Sequence, residues 1–297
     1  VDEEVKMNKT VALGMAAALA VGAIGLAGCG SKAANTTGGS TAATGTTEPS
    51  GSLTIAGSDT MVNMAQAWKD AYETANTGVT VAVKGGGSGT GVAALINGTV
   101  DFANSSREMK PEEITQAEAK GFTPVGTKVA RDGVAIVVNT ANKVENLTKD
   151  QLGKIYLGTI KNWKEVGGAD APITLVSRDP SSGTYEFFTG AVLGGGKFAT
   201  STKLLASTQA VVDEVTADPN AIGYIGVGYE STAIKVVGVD GVKASVETVT
   251  NESYPLWRYL YMYSKGAPTG TAKAYIDWIL GAEGQQVVAD EGFVSVQ

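Results

Sequence analysis

Four times in this chain a short apolar segment gives way to a loop rich in serine, threonine and glycine, and each loop opens onto a helical pattern. The loops are Gly57-Ser58-Asp59-Thr60, the stretch from Gly85 to Gly91, Asn104-Ser105-Ser106-Arg107, and Ser177-Arg178-Asp179-Pro180-Ser181-Ser182-Gly183-Thr184. Strands that repeatedly hand over to helices predict an α/β fold, with a mostly parallel sheet covered on both faces. Open sheets of this kind bind ligands beyond the carboxyl ends of their strands, which is where all four loops fall.

The last loop carries the most chemistry. A helix N-terminus presents unpaired N–H groups and a partial positive charge, and so seats an anion. Arg178 adds a full charge on a planar two-pronged donor, and the hydroxyls of Ser182 and Thr184 add neutral donors. The loop from Gly85 to Gly91 comes close to a nucleotide-binding spacing, because Gly86 and Gly91 bracket four residues. Val92 stands where the phosphate-holding lysine belongs, and no G-x-G-x-x-G register is present, so nucleotide chemistry is excluded here. What remains is a loop whose glycines, Gly89 among them, let backbone N–H groups approach an anion, with Ser88 and Thr90 as hydroxyl donors. Taken singly, each loop also reads as a turn or a cap; Ser58 or Asp59 can simply cap the helix that follows. Taken together, with Arg178 in one loop and Arg107 in another, they point to a tetrahedral oxyanion held between two domains.

Several function classes are excluded by composition. The chain has no histidine, which removes the commonest general base and metal ligand. No G-x-S-x-G elbow is present, and the paired Glu112 and Glu113 fall on a helix face expected to be solvated. Neither an enzyme nor a metal or cofactor site is expected. The net charge is −7, without a basic patch, so nucleic acid is not an expected partner and an anion must be captured by local donors.

The N-terminal region reads as an address. After Lys9, an uncharged apolar run from Val11 to Ala27 leads into Leu26-Ala27-Gly28-Cys29. A basic start, a short apolar stretch and small residues before a cysteine make a secretory signal over residues 1–28, in which Val1 to Lys6 precede the first methionine. Leu-Ala-Gly-Cys resembles the bacterial lipobox, in which the cysteine is acylated. Cys29 is the single cysteine, which excludes an intramolecular disulfide. Residues 29–51, rich in Ser, Thr, Ala and Gly, read as a flexible tether that cannot bury a core.

From Leu53 onward about 245 residues remain, more than one typical domain. Strands are expected at 53–56, 79–83, 101–103, 133–139, 173–176, 221–226 and 260–264. Helices are expected at 61–76, from Val92, and at 111–120, 149–156, 184–193, 209–217 and 270–280. The economical topology is two lobes, the first formed by residues 52–131 with a return at 251–297, the second by residues 132–250.

Beyond the loops, the chain carries Arg131-Asp132-Gly133-Val134-Ala135, Leu147-Thr148-Lys149-Asp150-Gln151-Leu152, Ile155-Tyr156-Leu157-Gly158, Asn162-Trp163, Ala221-Ile222-Gly223-Tyr224 and Tyr254-Pro255-Leu256. In order and coverage, from about Leu53 to the C-terminus, these pieces resemble the phosphate-binding proteins of bacterial phosphate ABC importers, the PstS family. The resemblance implies a type II periplasmic-binding-protein fold, two α/β lobes joined by crossover strands and closing on dehydrated phosphate. It implies a monomeric, lipid-anchored extracytoplasmic receptor that delivers inorganic phosphate to the transmembrane subunits of an importer. By position it assigns ligand binding to Ser58, Asp59, Thr60, Ser88, Gly89, Ser106, Arg178, Ser182, Gly183 and Thr184. Many members of that family carry acids where this chain has Ser106 and Pro180. An acid there is the usual acceptor for the proton of phosphate, which leaves Asp59 as the candidate. Receptors for other oxyanions (sulfate, molybdate, tungstate) and an extracytoplasmic sensor on the same fold are the alternative readings.

Overall fold

The computed structural model describes residues 49–297. The expected signal segment, Cys29 and most of the expected tether lie outside the described residues. Three parallel strands, β1 (Gly51–Gly57), β2 (Val79–Lys84) and β3 (Phe102–Ser105), run in the order β2-β1-β3. They alternate with helices α1 (Val62–Ala75), α2 (Ser88–Asn97) and α3 (Pro111–Ala119). Met64, Trp68 and Tyr72 recur every four residues on α1 and are fully buried, each stabilising the fold by roughly 1.5–3 kcal/mol. The polar end of Trp68 is satisfied, since Nε1 donates to the Gly284 carbonyl at 2.8 Å.

Strand β4 (Val125–Asn139) is twice the length expected. Its second half is the apolar run visible in the sequence. Its first half contains Lys128, Arg131 and Asp132 and shows no continuous apolar signal. Beyond it come β5 (Asn146–Leu147), α4 (Lys149–Tyr156), β6 (Thr174–Arg178), α5 (Gly183–Ala191), β7 (Lys203–Leu205), α6 (Thr208–Ala217), β8 (Ala221–Gly226), β9 (Ile234–Val239) and α7 (Val246–Thr250). The chain then returns through β10 (Trp257–Ser264) to helices α8 (Gly270–Leu280) and α9 (Ala282–Asp290). Of these, β5, β7 and α7 are too short to stand out by periodicity, whereas β9 and α9 are of ordinary length and are absent from the sequence reading.

The sheet is mixed, a correction to the mostly parallel expectation. Its order is β2-β1-β3-β10-β4-β8-β6-β7, with β9 on β4 and β5 on β9. β10 runs antiparallel to β3 and β4, and β4 antiparallel to β8 and β9. The cause is the crossing: β4 leaves one hydrophobic core and enters another without a helix, so no βαβ unit dictates its direction. Val129 and Ala130 belong to the core of β1, β2 and α1, whereas Val134 to Val138 belong to the core of β8, α4 and α6. The change falls across Arg131-Asp132-Gly133.

Candidate functional site

Helix α2 begins at Ser88, four residues before the expected start at Val92. Glycine disfavours a helix interior, but a Cβ at Gly91 would collide with the backbone of Ala56 and Gly57. Only a bare backbone lets this first turn sit on the end of β1. Ser88 is thereby fixed with full burial; its Oγ lies 3.2 Å from Ser106 Oγ and accepts the Ser106 N–H at 3.1 Å. At the end of β1 the Ser58 N–H donates to the Asn104 carbonyl at 2.9 Å, and Asp59–Met61 form a 3-10 turn. Ser58 Oγ is buried and has no hydrogen-bond partner among the described residues.

From the second core, β6 delivers Arg178, which is only 1% exposed. Its Nη2 donates to Asp59 Oδ2 at 2.6 Å and to the Ala206 carbonyl at 2.9 Å, its Nη1 to Thr208 Oγ1 at 3.0 Å, and its Nε to the Leu205 carbonyl at 3.3 Å. Ser182 caps α5: its Oγ accepts the N–H groups of Thr184 and Tyr185 at 3.2 and 3.4 Å, leaving its own proton to donate. Thr184 Oγ1 lies 2.8 Å from Thr60 Oγ1, which the loop after β1 supplies. The Gly89 N–H donates to the Ser181 carbonyl at 2.9 Å. Gly183 faces the two serines so closely that a Cβ there would strike the Ser88 and Ser106 hydroxyls. A glycine is required here because of that approach, not because of a backbone angle.

The structure therefore brings together Ser58, Asp59, Thr60, Ser88, Gly89, Ser106, Arg178, Ser182, Gly183 and Thr184, which arrive on the four loops. Asp59 does not cap the helix after it. The residue at the cap of the 3-10 turn is Ser58, without a side-chain capping bond, while the Asp59 oxygens accept from Arg178 and from the Gly86 N–H at 3.0 Å. The Asp59 backbone carbonyl also accepts the Tyr229 hydroxyl at 2.7 Å.

Arg107 is not a free second charge. It makes a two-pronged pair with Glu113, both contacts at 2.7 Å, and its Nε lies 2.7 Å from Glu186 Oε2 on α5. Glu113 is accordingly half-buried rather than solvated. Burial works to raise its carboxyl, but the bonds from Arg107 outweigh this and hold it below the ordinary value.

One charged pair escaped the sequence reading. Arg258 is 6% exposed and Asp132 is fully buried; Nε and Nη2 of the arginine reach Asp132 Oδ2 at 3.0 and 2.7 Å. Burial pushes the Asp132 carboxyl up and the Arg258 guanidinium down, against the attraction between them. Arg258 Nη2 also donates to Thr184 Oγ1 at 2.9 Å. A signal existed: Arg258 shares the alternating face of Leu260 and Met262, where an arginine is rarely buried without a partner.

A cavity of about 440 Å³ adjoins Arg258, lined by Phe187, Trp257, Tyr259 and Tyr261 with Arg107, Glu108 and Glu186. None of the hydroxyl-bearing loop residues lines it, and its aromatic walls do not suit a small tetrahedral anion. The hydroxyl cluster, buried and donor-rich, does.

Residues 41–283 match the family model of a PBP superfamily domain. A phosphate-binding protein PstS of Bacillus subtilis is 36% identical over 294 residues, covering 98% of this chain and 95% of its own. One from Pseudomonas aeruginosa is 32% identical over 268 residues, covering 82% and 83%. Among solved structures, a protein from Clostridium perfringens with bound phosphate superposes with a TM-score of 0.78 at 34% identity, over 83% of this chain and all of that one. An ABC-type phosphate transport receptor from Vibrio cholerae superposes at 0.68 with 28% identity, over 82% of this chain and 99% of its own.

Proposed function

The chain belongs to the PstS family of phosphate-binding proteins, substrate-binding proteins and not enzymes, and from that membership we propose that it is a lipid-anchored receptor for inorganic phosphate. It captures the anion between its lobes and hands it to the transmembrane subunits of an ABC importer, working as an extracytoplasmic monomer. The lobes comprise residues 52–131 with 251–297, and residues 132–250. The ligand is held by Ser58, Asp59, Thr60, Ser88, Gly89, Ser106, Arg178, Ser182, Gly183 and Thr184. The observation that carries this reading is the convergence of hydroxyls and one neutralised guanidinium from both lobes, Thr60 on Thr184 and Asp59 on Arg178. Such donors match an oxyanion stripped of water, and glycine at 183 lets the walls meet around it.

The test is binding of radiolabelled phosphate to protein first stripped of anion, with sulfate, molybdate and arsenate as competitors. Phosphate is expected to raise the melting temperature, because a ligand bound by the native state alone stabilises it, by about 2.7 kcal/mol at a hundredfold excess over Kd. No shift at millimolar phosphate would count against the assignment; stronger competition by molybdate or sulfate would transfer it to another oxyanion.

Anchoring rests on Cys29 and the tether. Cys29→Ser is expected to release the protein from membranes while leaving phosphate affinity unchanged, since Cys29 lies well before the first site residue, Ser58, in the chain. Membrane fractionation checks this, and continued membrane association of the variant would refute acylation at Cys29.

A further inference from the structure

We propose that the buried Asp132–Arg258 pair is a positioning device for the anion seat, passing a second positive charge to the ligand through the hydroxyls of Thr184 and Thr60. The proposal rests on the oxyanion reading above and adds a residue pair to it. Asp132 and Arg258 are direct neighbours across the β4–β10 ladder, at the point where β4 changes cores. Asp132 is held from two sides, since its Oδ1 also accepts the Val227 N–H at 3.1 Å. Phe187 covers the guanidinium at 5.3 Å from the ring centre.

A guanidinium can only donate. Thr184 Oγ1 therefore accepts from Arg258 and has one lone pair fewer to offer. The Thr60 and Thr184 hydroxyls hold two protons, of which one lies between them. The other remains, so the couple turns towards the seat as a donor. Consecutive hydrogen bonds polarise one another, and a cation at the head of the chain strengthens the last donor.

A purely structural clasp between β4 and β10 would account for the bonds to Asp132. It would not account for the reach to Thr184, nor for Arg258 Nη1, which is buried without a partner among the described residues. Buried donors in native folds are ordinarily satisfied. An unpartnered donor on a guanidinium whose other terminal nitrogen bonds Thr184 fits a cluster prepared for a ligand. The charged groups facing the seat are then two balanced pairs, Arg178 with Asp59 and Arg258 with Asp132; Arg107 is matched by Glu113 and Glu186.

The experiment uses anion-stripped protein, calorimetric phosphate affinity, and the 31P resonance of bound phosphate followed from mildly acid to mildly alkaline pH. The double variant Asp132→Asn/Arg258→Gln leaves no lone buried charge. It is expected to bind phosphate about tenfold to a hundredfold more weakly, the worth of one hydrogen bond to a charged group. Its bound phosphate is expected to take up a proton at higher pH than in the wild type, an effect no clasp would produce. Arg258→Lys should restore part of both effects. In a Thr184→Val background, Arg258→Gln should cost little more, because the relay is already cut. Glu230, pushed up to about 7 by burial and the nearby Asp132 charge, titrates in the same range, so Glu230→Gln is the control.

Unchanged affinity and 31P titration in a double variant that melts normally would overturn the relay. If the double variant does not fold, a full additional loss from Arg258→Gln on top of Thr184→Val overturns it instead. A wild type that binds no phosphate would overturn the underlying reading, and shows itself before any variant is made.

Discussion

Replacing Arg178 by alanine is expected to weaken phosphate binding by about 2–5 kcal/mol, the range for removing one partner of a buried charge pair. The side chain is 1% exposed and donates to four acceptors, so nothing else reaches its place. Stability falls as well, because Asp59 would be left charged and unpaired in a closed cleft, at a cost of about 3–5 kcal/mol. Arg178→Lys should recover only part of the affinity, since an ammonium cannot span Thr208, Ala206 and Asp59 at once. Calorimetry on the three proteins, with thermal melts to separate folding from binding, checks this. Normal phosphate affinity in Arg178→Ala would move the anion away from this end of β6.

The second large effect is expected at Asp59. Hydrogen phosphate carries a proton that needs an acceptor, whereas sulfate at neutral pH carries none. With serine at 106 and proline at 180, the carboxylate of Asp59 is the acceptor we assign. Arg178 takes Oδ2 and the Gly86 N–H takes Oδ1, but each oxygen retains a lone pair. Asp59→Asn keeps the shape and removes the charge. Phosphate affinity is expected to fall and the exclusion of sulfate to relax; polar mismatch of this kind discriminates by about 10⁴–10⁵-fold. Parallel phosphate and sulfate titrations of the variant measure it. A variant that binds phosphate more weakly at unchanged selectivity would confine Asp59 to holding Arg178.

Both predictions turn on a contact that local sequence reasoning did not contain. Asp59 was legible as an acid in a hydroxyl loop, suited either to a cap or to a ligand. Its pairing with Arg178 lies 119 residues away in the chain. The start of α2 shows the same limit. Gly85 to Gly91 read as an open loop because glycine opposes helix, and the opposing reason, close packing of Gly91 on β1, belongs to another segment. Arg107 read as a second arginine among the loops and Glu113 as a solvated acid, and the fold joined them to each other and to Glu186.

Where the donors sit was legible in the chain, because strand, loop and helix N-terminus are set by periodicity and capping over a few residues. Ser58, Ser88, Ser106, Arg178, Ser182 and Thr184 all stand near such junctions, and the order of motifs along the chain carried the family. Which donor meets which acceptor was settled by the packing of distant segments. The crossing of β4 between the two cores sets Thr60 against Thr184, Asp59 against Arg178 and Gly183 against two serines, and lodges Asp132 and Arg258 beside them. The partners Thr60 and Thr184, Asp59 and Arg178, and Asp132 and Arg258 stand more than a hundred residues apart in the chain, and a hydrogen bond between such distant segments leaves no periodic trace in either.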